Sequence, residues 1–109
     1  MWKWKTIALD YDGTLTEDRL LEVTDAPIIE GADIFTNQLK EEGWEVNIFT
    51  CRPSKQRKAI EANLRRQGVH FEHISFYGKP NAELYVDNRG LRFNGSWPEI
   101  YEWIKGQEK

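Results

Sequence analysis

Asp10-Tyr11-Asp12-Gly13-Thr14-Leu15-Thr16 follows directly after the apolar run Ile7-Ala8-Leu9, which predicts a short buried strand. Because alternate residues of a strand point to the same face, we expect Asp10 and Asp12 to lean toward one site at its carboxyl end. Two carboxylates held that close repel each other unless something compensates their charge. A divalent cation is the usual partner of clustered oxygens, so this stretch predicts an acidic, cation-binding strand end.

The composition is that of an ordinary globular protein and excludes several classes. We expect the 109 residues to form a single domain, 1–109, and the formal net charge of −3 is unsuited to coating nucleic acid. The single cysteine, Cys51, excludes an intrachain disulfide and a zinc site built from cysteines. With no apolar run near the roughly 18–20 residues that span a bilayer, and no signal-peptide core, we expect a cytoplasmic protein without membrane contact.

Apolar runs and helical patterns alternate along the rest of the chain. Beyond the first strand, apolar runs predict strands at 46–49, 74–77 and 84–86, with a short extra strand at 91–93. Three stretches predict helices: 27–43, 55–67 and 97–105. The polar stretch 13–23 between the first strand and the first helix predicts an active-site loop or a small hairpin.

Two of the helix predictions carry local detail. In the first helix Ile34, Phe35 and Leu39 share a face, and Gly43 follows as a stop signal. Ser54 is a suitable N-cap for the second helix. The alternation of strands and helices predicts an α/β fold, a three-layer α/β/α Rossmann-like domain with a mostly parallel central sheet.

Polar side chains follow each predicted strand. Ligands of such sheets bind beyond the carboxyl ends of the strands, where Asp10, Asp12, Thr50, Lys79 and Asp87 would meet. Carboxylates, a hydroxyl and a lysine suit phosphoryl transfer. An aspartate can attack phosphorus, a second carboxyl can move protons, and Mg²⁺ with a lysine and a hydroxyl can neutralise the phosphate oxygens.

At these positions the chain resembles the haloacid dehalogenase-like (HAD) phosphohydrolases. Asp10-Tyr11-Asp12-Gly13-Thr14 resembles the first motif of that family, and Ile48-Phe49-Thr50 resembles the second. Gly78-Lys79-Pro80 resembles the third motif and Val86-Asp87-Asn88 the fourth. The four motifs occur in the family's order and span residues 7 to 88. Neither interval between the motifs is long enough for a cap domain, so the resemblance implies a small capless member.

The resemblance implies a Mg²⁺-dependent phosphatase that forms an aspartyl-phosphate. Asp10 would be the nucleophile and Asp12 the general acid/base, and the presence of Asp12 favours ester hydrolysis over dehalogenation. Mg²⁺ would be held by Asp10, the backbone carbonyl of Asp12, and Asp87. Asn88, where the family often has a second acidic residue, would contribute an uncharged ligand.

The phosphate of the substrate would meet a second set of residues: Thr50, Lys79, Gly13 and Arg52. The substrate class stays open, from a small metabolite or a nucleotide to a nucleic-acid end or a phosphoprotein. Because a capless site is uncovered, a homo-oligomer in which a neighbouring subunit acts as a lid is a further expectation.

Several alternatives compete with this interpretation. The aspartates could form a calcium loop, but Gly13 and Leu21 do not match the EF-hand pattern, or they could form a plain Asp-Gly turn. Cys51 to Arg57 matches the Cys-x5-Arg loop of cysteine phosphatases, although Pro53 removes one backbone donor. A non-catalytic phospho-ligand or nucleotide module of the same fold, or a phosphotransferase, is also compatible with the motifs.

Overall fold

The computed structural model describes residues 5–90 and 95–107. They form four strands: β1 (Thr6–Asp10), β2 (Glu45–Phe49), β3 (His73–Ser75) and β4 (Leu84–Val86). They also form three helices: α1 (Ala32–Glu41), α2 (Arg57–Arg66) and α3 (Trp97–Gly106). The fold is a small Rossmann-like α/β/α domain, as predicted. None of these helices, within the described part of the chain, is long and apolar enough to cross a bilayer.

The four strands form one parallel sheet in the order β3-β2-β1-β4. β1 is a central strand, paired with β2 from Thr6 to Asp10 and with β4 from Ile7 to Leu9. The chain builds β2 and β3 on one side of β1 and then returns to its other side for β4. The order of the strands thus reverses at β1, and such a switch point is where open α/β sheets bind their ligands.

One face of the sheet carries the hydrophobic core. Ile7 and Leu9 lie opposite Val46 and Ile48 in the register of β1 and β2, so all four side chains point the same way. The apolar stripe of α2, with Ile60 fully buried, packs in the same cluster. This burial keeps β1 and β2 in one register, because a slip of one residue would turn the apolar side chains outward.

Helix α1 departs from the prediction in its start and in its buried face. It begins at Ala32 rather than at residue 27, after Gly31 in a left-handed conformation. Ile34 and Phe35 are 65% and 66% exposed, whereas Thr36 is buried. Thr36 tolerates burial because its hydroxyl donates to Ala32 O within the helix and accepts from the backbone N–H of His70. Of the predicted apolar face of this helix, Leu39 packs against the core, whereas Ile34 and Phe35 do not.

The start of α2 also differs from the prediction. Residues Ser54–Gln56 form a single 3₁₀ turn, and the α-helix begins at Arg57 without a side-chain cap. Ser54 is therefore not the N-cap of α2. Its hydroxyl instead accepts a hydrogen bond from the Tyr77 hydroxyl at 3.3 Å. Gly68, with a φ of 82°, follows α2 as predicted and allows the chain to turn away.

Residues 17–28, which we call the strap, form an irregular segment that α2 holds in place. Asn63 is buried and donates to Ala26 O at 2.9 Å, and Gln67 Oε1 accepts from Ile28 N at 2.9 Å. The strap is also closed on itself, since Glu17 N donates to Pro27 O. The strap, which overlaps the predicted loop 13–23, is thus fixed at its C-terminal end by side chains that follow it by about 40 residues.

The remaining strand predictions agree with the structure to within two residues. β4 coincides with the predicted strand 84–86, and β3 ends at Ser75 rather than at residue 77. The predicted extra strand at 91–93 lies outside the described residues.

We predict that Ile60→Ala lowers the free energy of unfolding by about 2–5 kcal/mol, because it removes a fully buried side chain from the core. Urea unfolding followed by circular dichroism measures the loss. Lys58→Ala, at an exposed position of the same helix, should change the free energy of unfolding by about 0.5 kcal/mol or less. Equal losses in the two variants would contradict the description of the core.

Candidate active site

The predicted site residues converge on one cleft at the carboxyl end of the sheet. Asp10 ends β1, Thr50 follows β2, and Asp87 follows β4. The loop after β3 adds Lys79. The cleft has a volume of about 450 Å³ and is lined by Asp10, Asp12, Asp18, Arg19, Leu21, Phe49, Thr50, Cys51, Phe76, Gly78, Lys79, Asp87, Asn88 and Arg89. Five residues spread over 78 positions of sequence therefore share one site, as the parallel topology predicts.

Asp10 carries the strongest electrostatic perturbation of the site. Desolvation by burial raises the pKa of Asp10 from its ordinary value of 3.8 to about 6, and the nearby charges of Asp87 and Asp12 add to the rise. The backbone N–H of Tyr11, which donates to Asp10 Oδ1 at 2.9 Å, opposes it. A carboxyl group whose pKa is raised this far, in a cleft, is a candidate functional group.

Asp12 has a very different environment, because its carboxylate forms an ion pair with Arg52. Arg52 Nη2 donates to Asp12 Oδ1 at 2.7 Å, and Arg52 Nε donates to Oδ2 at 3.0 Å. This is the bidentate geometry in which a guanidinium binds a carboxylate most strongly. The hydrogen bond to Asp12 also raises the pKa of Arg52 above its ordinary value.

Arg52 does not have the position that the sequence predicted for a phosphate ligand. Its side chain is 0% exposed. Beyond Asp12, its N–H groups donate to the Gln56 side chain and to three backbone carbonyls of the strap, those of Leu20, Leu21 and Val23. All five guanidinium N–H groups thus have acceptors within the protein, so the predicted phosphate contact is wrong.

Gly13 likewise has a structural position rather than the predicted phosphate contact. Its backbone N–H donates to Thr16 O at 2.8 Å and is not directed to a ligand. Its φ is 81°, a conformation that favours glycine. A Cβ at this position would lie 2.4 Å from Asn88 Nδ2, so Gly13 makes room for the Asn88 side chain beside the cleft.

Thr50 and Lys79, the other two predicted phosphate contacts, both line the cleft. Thr50 is buried at the base of the cleft, and its hydroxyl oxygen accepts from Arg52 N at 3.1 Å. Lys79 Nζ lies 3.8 Å from Asp87 Oδ2 and 5.4 Å from the centres of the Phe49 and Tyr85 rings. The ammonium group is therefore held beside the Asp87 carboxylate by charge and by two aromatic rings.

The candidate magnesium ligands are of mixed type. The charge of Asp87 contributes to the raised pKa of Asp10, after the larger effect of burial, and Asp12 and Asn88 adjoin them in the cleft. Within residues 5–90 and 95–107, no group of three or more His, Cys, Asp or Glu side chains is arranged to hold a metal ion. Two carboxylates, one backbone carbonyl and one amide oxygen are nevertheless hard oxygen donors of the kind that Mg²⁺ accepts.

The rim of the cleft contains Arg89, together with Asp18, Arg19 and Leu21 of the strap, which no sequence motif predicts. Arg89 Nη2 lies 3.2 Å from Asp18 Oδ2, which joins the loop after β4 to the strap. Arg19 and Leu21 line the same side of the cleft. No motif spacing relates these residues, because the strap reaches the site through its tertiary contacts with Arg52 and α2.

The geometry does not favour the cysteine-phosphatase alternative. Cys51 is exposed and lines the cleft. Arg57, the other end of the Cys-x5-Arg pattern, has its guanidinium 4.7 Å from the centre of the Phe76 ring and donates to Ile74 O. The arginine is thus engaged with β3 and the residue after it rather than with a phosphate loop around Cys51.

Comparison with known proteins adds a fold-level relative. No protein-family model matches the chain, and no curated protein matches it. Among solved structures, the chain is similar to a conserved protein coded by a locus from Bacteroides thetaiotaomicron, with 27% sequence identity and a TM-score of 0.66. The similarity covers 98% of this chain and 94% of that chain. It supports the Rossmann-like α/β/α architecture over the whole length.

We predict that Asp10 makes stability depend on pH between about 4 and 6. Its raised pKa means that the unfolded chain releases this proton at lower pH than the native protein does. Stability therefore falls as the pH rises through this window and stays reduced above it. In buffer without divalent cations, Asp10→Asn should have the wild-type Tm at about pH 4 and a higher Tm than the wild type above about pH 6.

Glu41→Gln is the matched control, because it also removes one carboxylate. Glu41 ends α1, just before the amino end of β2, whereas the cleft lies at the carboxyl ends of the strands. Its Tm difference from the wild type should not follow the same pH window. A constant Tm difference for Asp10→Asn across that window would contradict the electrostatic description of the cleft.

Proposed function

We propose that the protein is a Mg²⁺-dependent phosphatase of the HAD-like type, which hydrolyses a phosphate monoester through an aspartyl-phosphate. The observation that carries the proposal is the meeting of five groups in one cleft: Asp10, Asp12, Thr50, Lys79 and Asp87. They comprise a nucleophile, a proton carrier, two groups suited to phosphate oxygens, and a further acidic ligand. This is the set that double displacement at phosphorus requires.

In the first step the Asp10 carboxylate attacks the phosphorus of the ester. The P–O bond to the leaving group breaks, and Asp12, which enters this step protonated and regains a proton in the second step, gives its proton to the departing oxygen. Asp10 suits this role because its pKa of about 6 leaves it ionised at neutral pH while it stays partly desolvated and basic. Lys79 and the Thr50 hydroxyl bind the equatorial phosphoryl oxygens, where negative charge is shared in the transition state.

In the second step a water molecule attacks the phosphorus of the aspartyl-phosphate. Asp12, now a carboxylate, takes the proton from that water, and the bond between phosphorus and the Asp10 oxygen breaks. Inorganic phosphate leaves and Asp10 is regenerated. A carboxylate anchored by Arg52 returns to the same place for both proton transfers, which this sequence of steps requires.

The carboxylates of Asp10 and Asp87, the backbone carbonyl of Asp12 and the Asn88 side chain would hold Mg²⁺. When bound, the cation supplies positive charge that reduces the repulsion between the aspartates and the phosphate. The raised pKa of Asp10 supports this assignment, because it reflects burial first and then the uncompensated charge of Asp87, both of which a bound cation would offset. Lys79, beside Asp87, provides part of that compensation.

The test is hydrolysis of a generic aryl phosphate by the purified protein with and without Mg²⁺. We expect turnover only with the cation, because the nucleophile lies among like charges. Asp10→Asn should lower kcat by at least about 10³-fold, the scale on which losing a nucleophile acts. Release of inorganic phosphate measures both effects.

Cys51→Ser is the matched control, since it changes another nucleophilic side chain in the same cleft. It should retain activity close to that of the wild type. Activity that survives Asp10→Asn, or that is lost with Cys51→Ser, would overturn the proposal.

One observation favours a second candidate, a phospho-ligand binding module without turnover. Asn88 supplies no charge at a position where an acidic residue would strengthen cation binding. Tight binding of phosphate or a nucleotide by calorimetry, without hydrolysis at any Mg²⁺ concentration, would favour this candidate over the phosphatase.

A further inference from the structure

We propose that Arg52 is a positioning residue that fixes the proton-carrying carboxylate of Asp12 and ties it to the strap. This inference rests on the proposed phosphatase function and assigns a role to a side chain that the four motifs do not include. Arg52 touches no ligand position, because its side chain is 0% exposed. Its effect on the reaction must therefore pass through the groups that it contacts.

The burial of Arg52 is the first argument. A buried guanidinium loses its hydration, and this cost is offset only if its N–H groups find acceptors with good geometry. Here the acceptors are Asp12, Gln56 and three strap carbonyls, at distances from 2.7 to 3.4 Å. Tyr11 adds its ring face, 5.5 Å from the guanidinium carbon. A site this complete constrains the arginine to one orientation.

The geometry at Asp12 is the second argument. Contacts from Nε and Nη2 engage both carboxylate oxygens, so they fix the plane of the carboxylate as well as its position. A lysine would offer one point charge and could not fix that plane. Proton transfer is sensitive to such placement, and a misplacement of about 1 Å can cost about 10²-fold in rate.

The strap is the third argument. The same guanidinium that holds Asp12 also donates to Leu21 O and Val23 O. Gln56 also donates to Leu21 O, at 2.6 Å. Leu21 itself lines the cleft. The buried guanidinium of Arg52 therefore fixes the positions of both the Asp12 carboxylate and the strap residues that form one wall of the cleft. We infer that the wall and the acid are fixed as a unit.

The test uses two substrates that differ in how much they need an acid. An aryl phosphate with an acidic leaving group departs with little protonation, whereas an alkyl phosphate needs a proton on its leaving oxygen. The parameter is kcat/KM, which reports the step in which that oxygen leaves. The variants are Arg52→Gln, Asp12→Asn and the double variant, each assayed in the Mg²⁺-loaded protein.

We expect Arg52→Gln to lower kcat/KM for the alkyl ester by about 10²-fold and to affect the aryl ester much less. In the Asp12→Asn background, the Arg52 substitution should cause no further loss with the alkyl ester, because its effect passes through Asp12. Arg52→Lys, which keeps the charge without the fork, should show the same preference for the aryl ester.

Two controls separate positioning from loss of structure. Circular dichroism and Tm report folding, and Arg52→Lys decides the question if Arg52→Gln does not fold. Gln67→Ala loosens the strap at Ile28, away from Arg52, and should leave the ratio between the two esters unchanged. Equal losses with both esters in folded Arg52 variants, or losses that add in the double variant, would overturn the positioning role. A wild-type protein that hydrolyses neither ester would instead overturn the proposed function.

Discussion

The parallel pairing of β1 on both of its sides is the constraint on which the rest of the molecule depends. Because β2 and β4 hold this strand from either side, its carboxyl end cannot move to relieve the repulsion around Asp10. Asp87, carried just beyond the neighbouring strand, stays close enough to raise the pKa of Asp10. The core on the α2 side provides the free energy that maintains this arrangement.

The two aspartates of one short motif are given different properties by their surroundings. Asp10 is partly desolvated among other carboxylates, and its pKa is raised. Asp12, two residues later, is held by a buried arginine with bidentate geometry. Pairs of carboxyl groups in contrasting environments are a common way to divide nucleophilic and proton-transfer roles. The proposed mechanism likewise gives the two aspartates separate roles.

Features that depend on topology can be predicted from the sequence. Features that depend on side-chain contacts between residues far apart in the chain cannot. The strands and the meeting of their carboxyl ends follow from hydrophobic patterns and parallel order. The apolar pattern of α1 does not indicate that Thr36 is buried, because its hydroxyl is satisfied partly by the backbone N–H of His70, 34 residues away. Arg52 was mispredicted because its partner Asp12 lies 40 residues away, and no local pattern records such a pair.

Transfer of a phosphoryl group to Asp10 is the central step of the proposed mechanism. The most direct measurement is rapid acid quenching of the wild-type protein during turnover of a phosphate ester, followed by peptide mass spectrometry. We expect a phosphorylated peptide in which Asp10 carries the phosphoryl group. A phosphoryl group on Cys51, or turnover without any phosphorylated peptide, would contradict it.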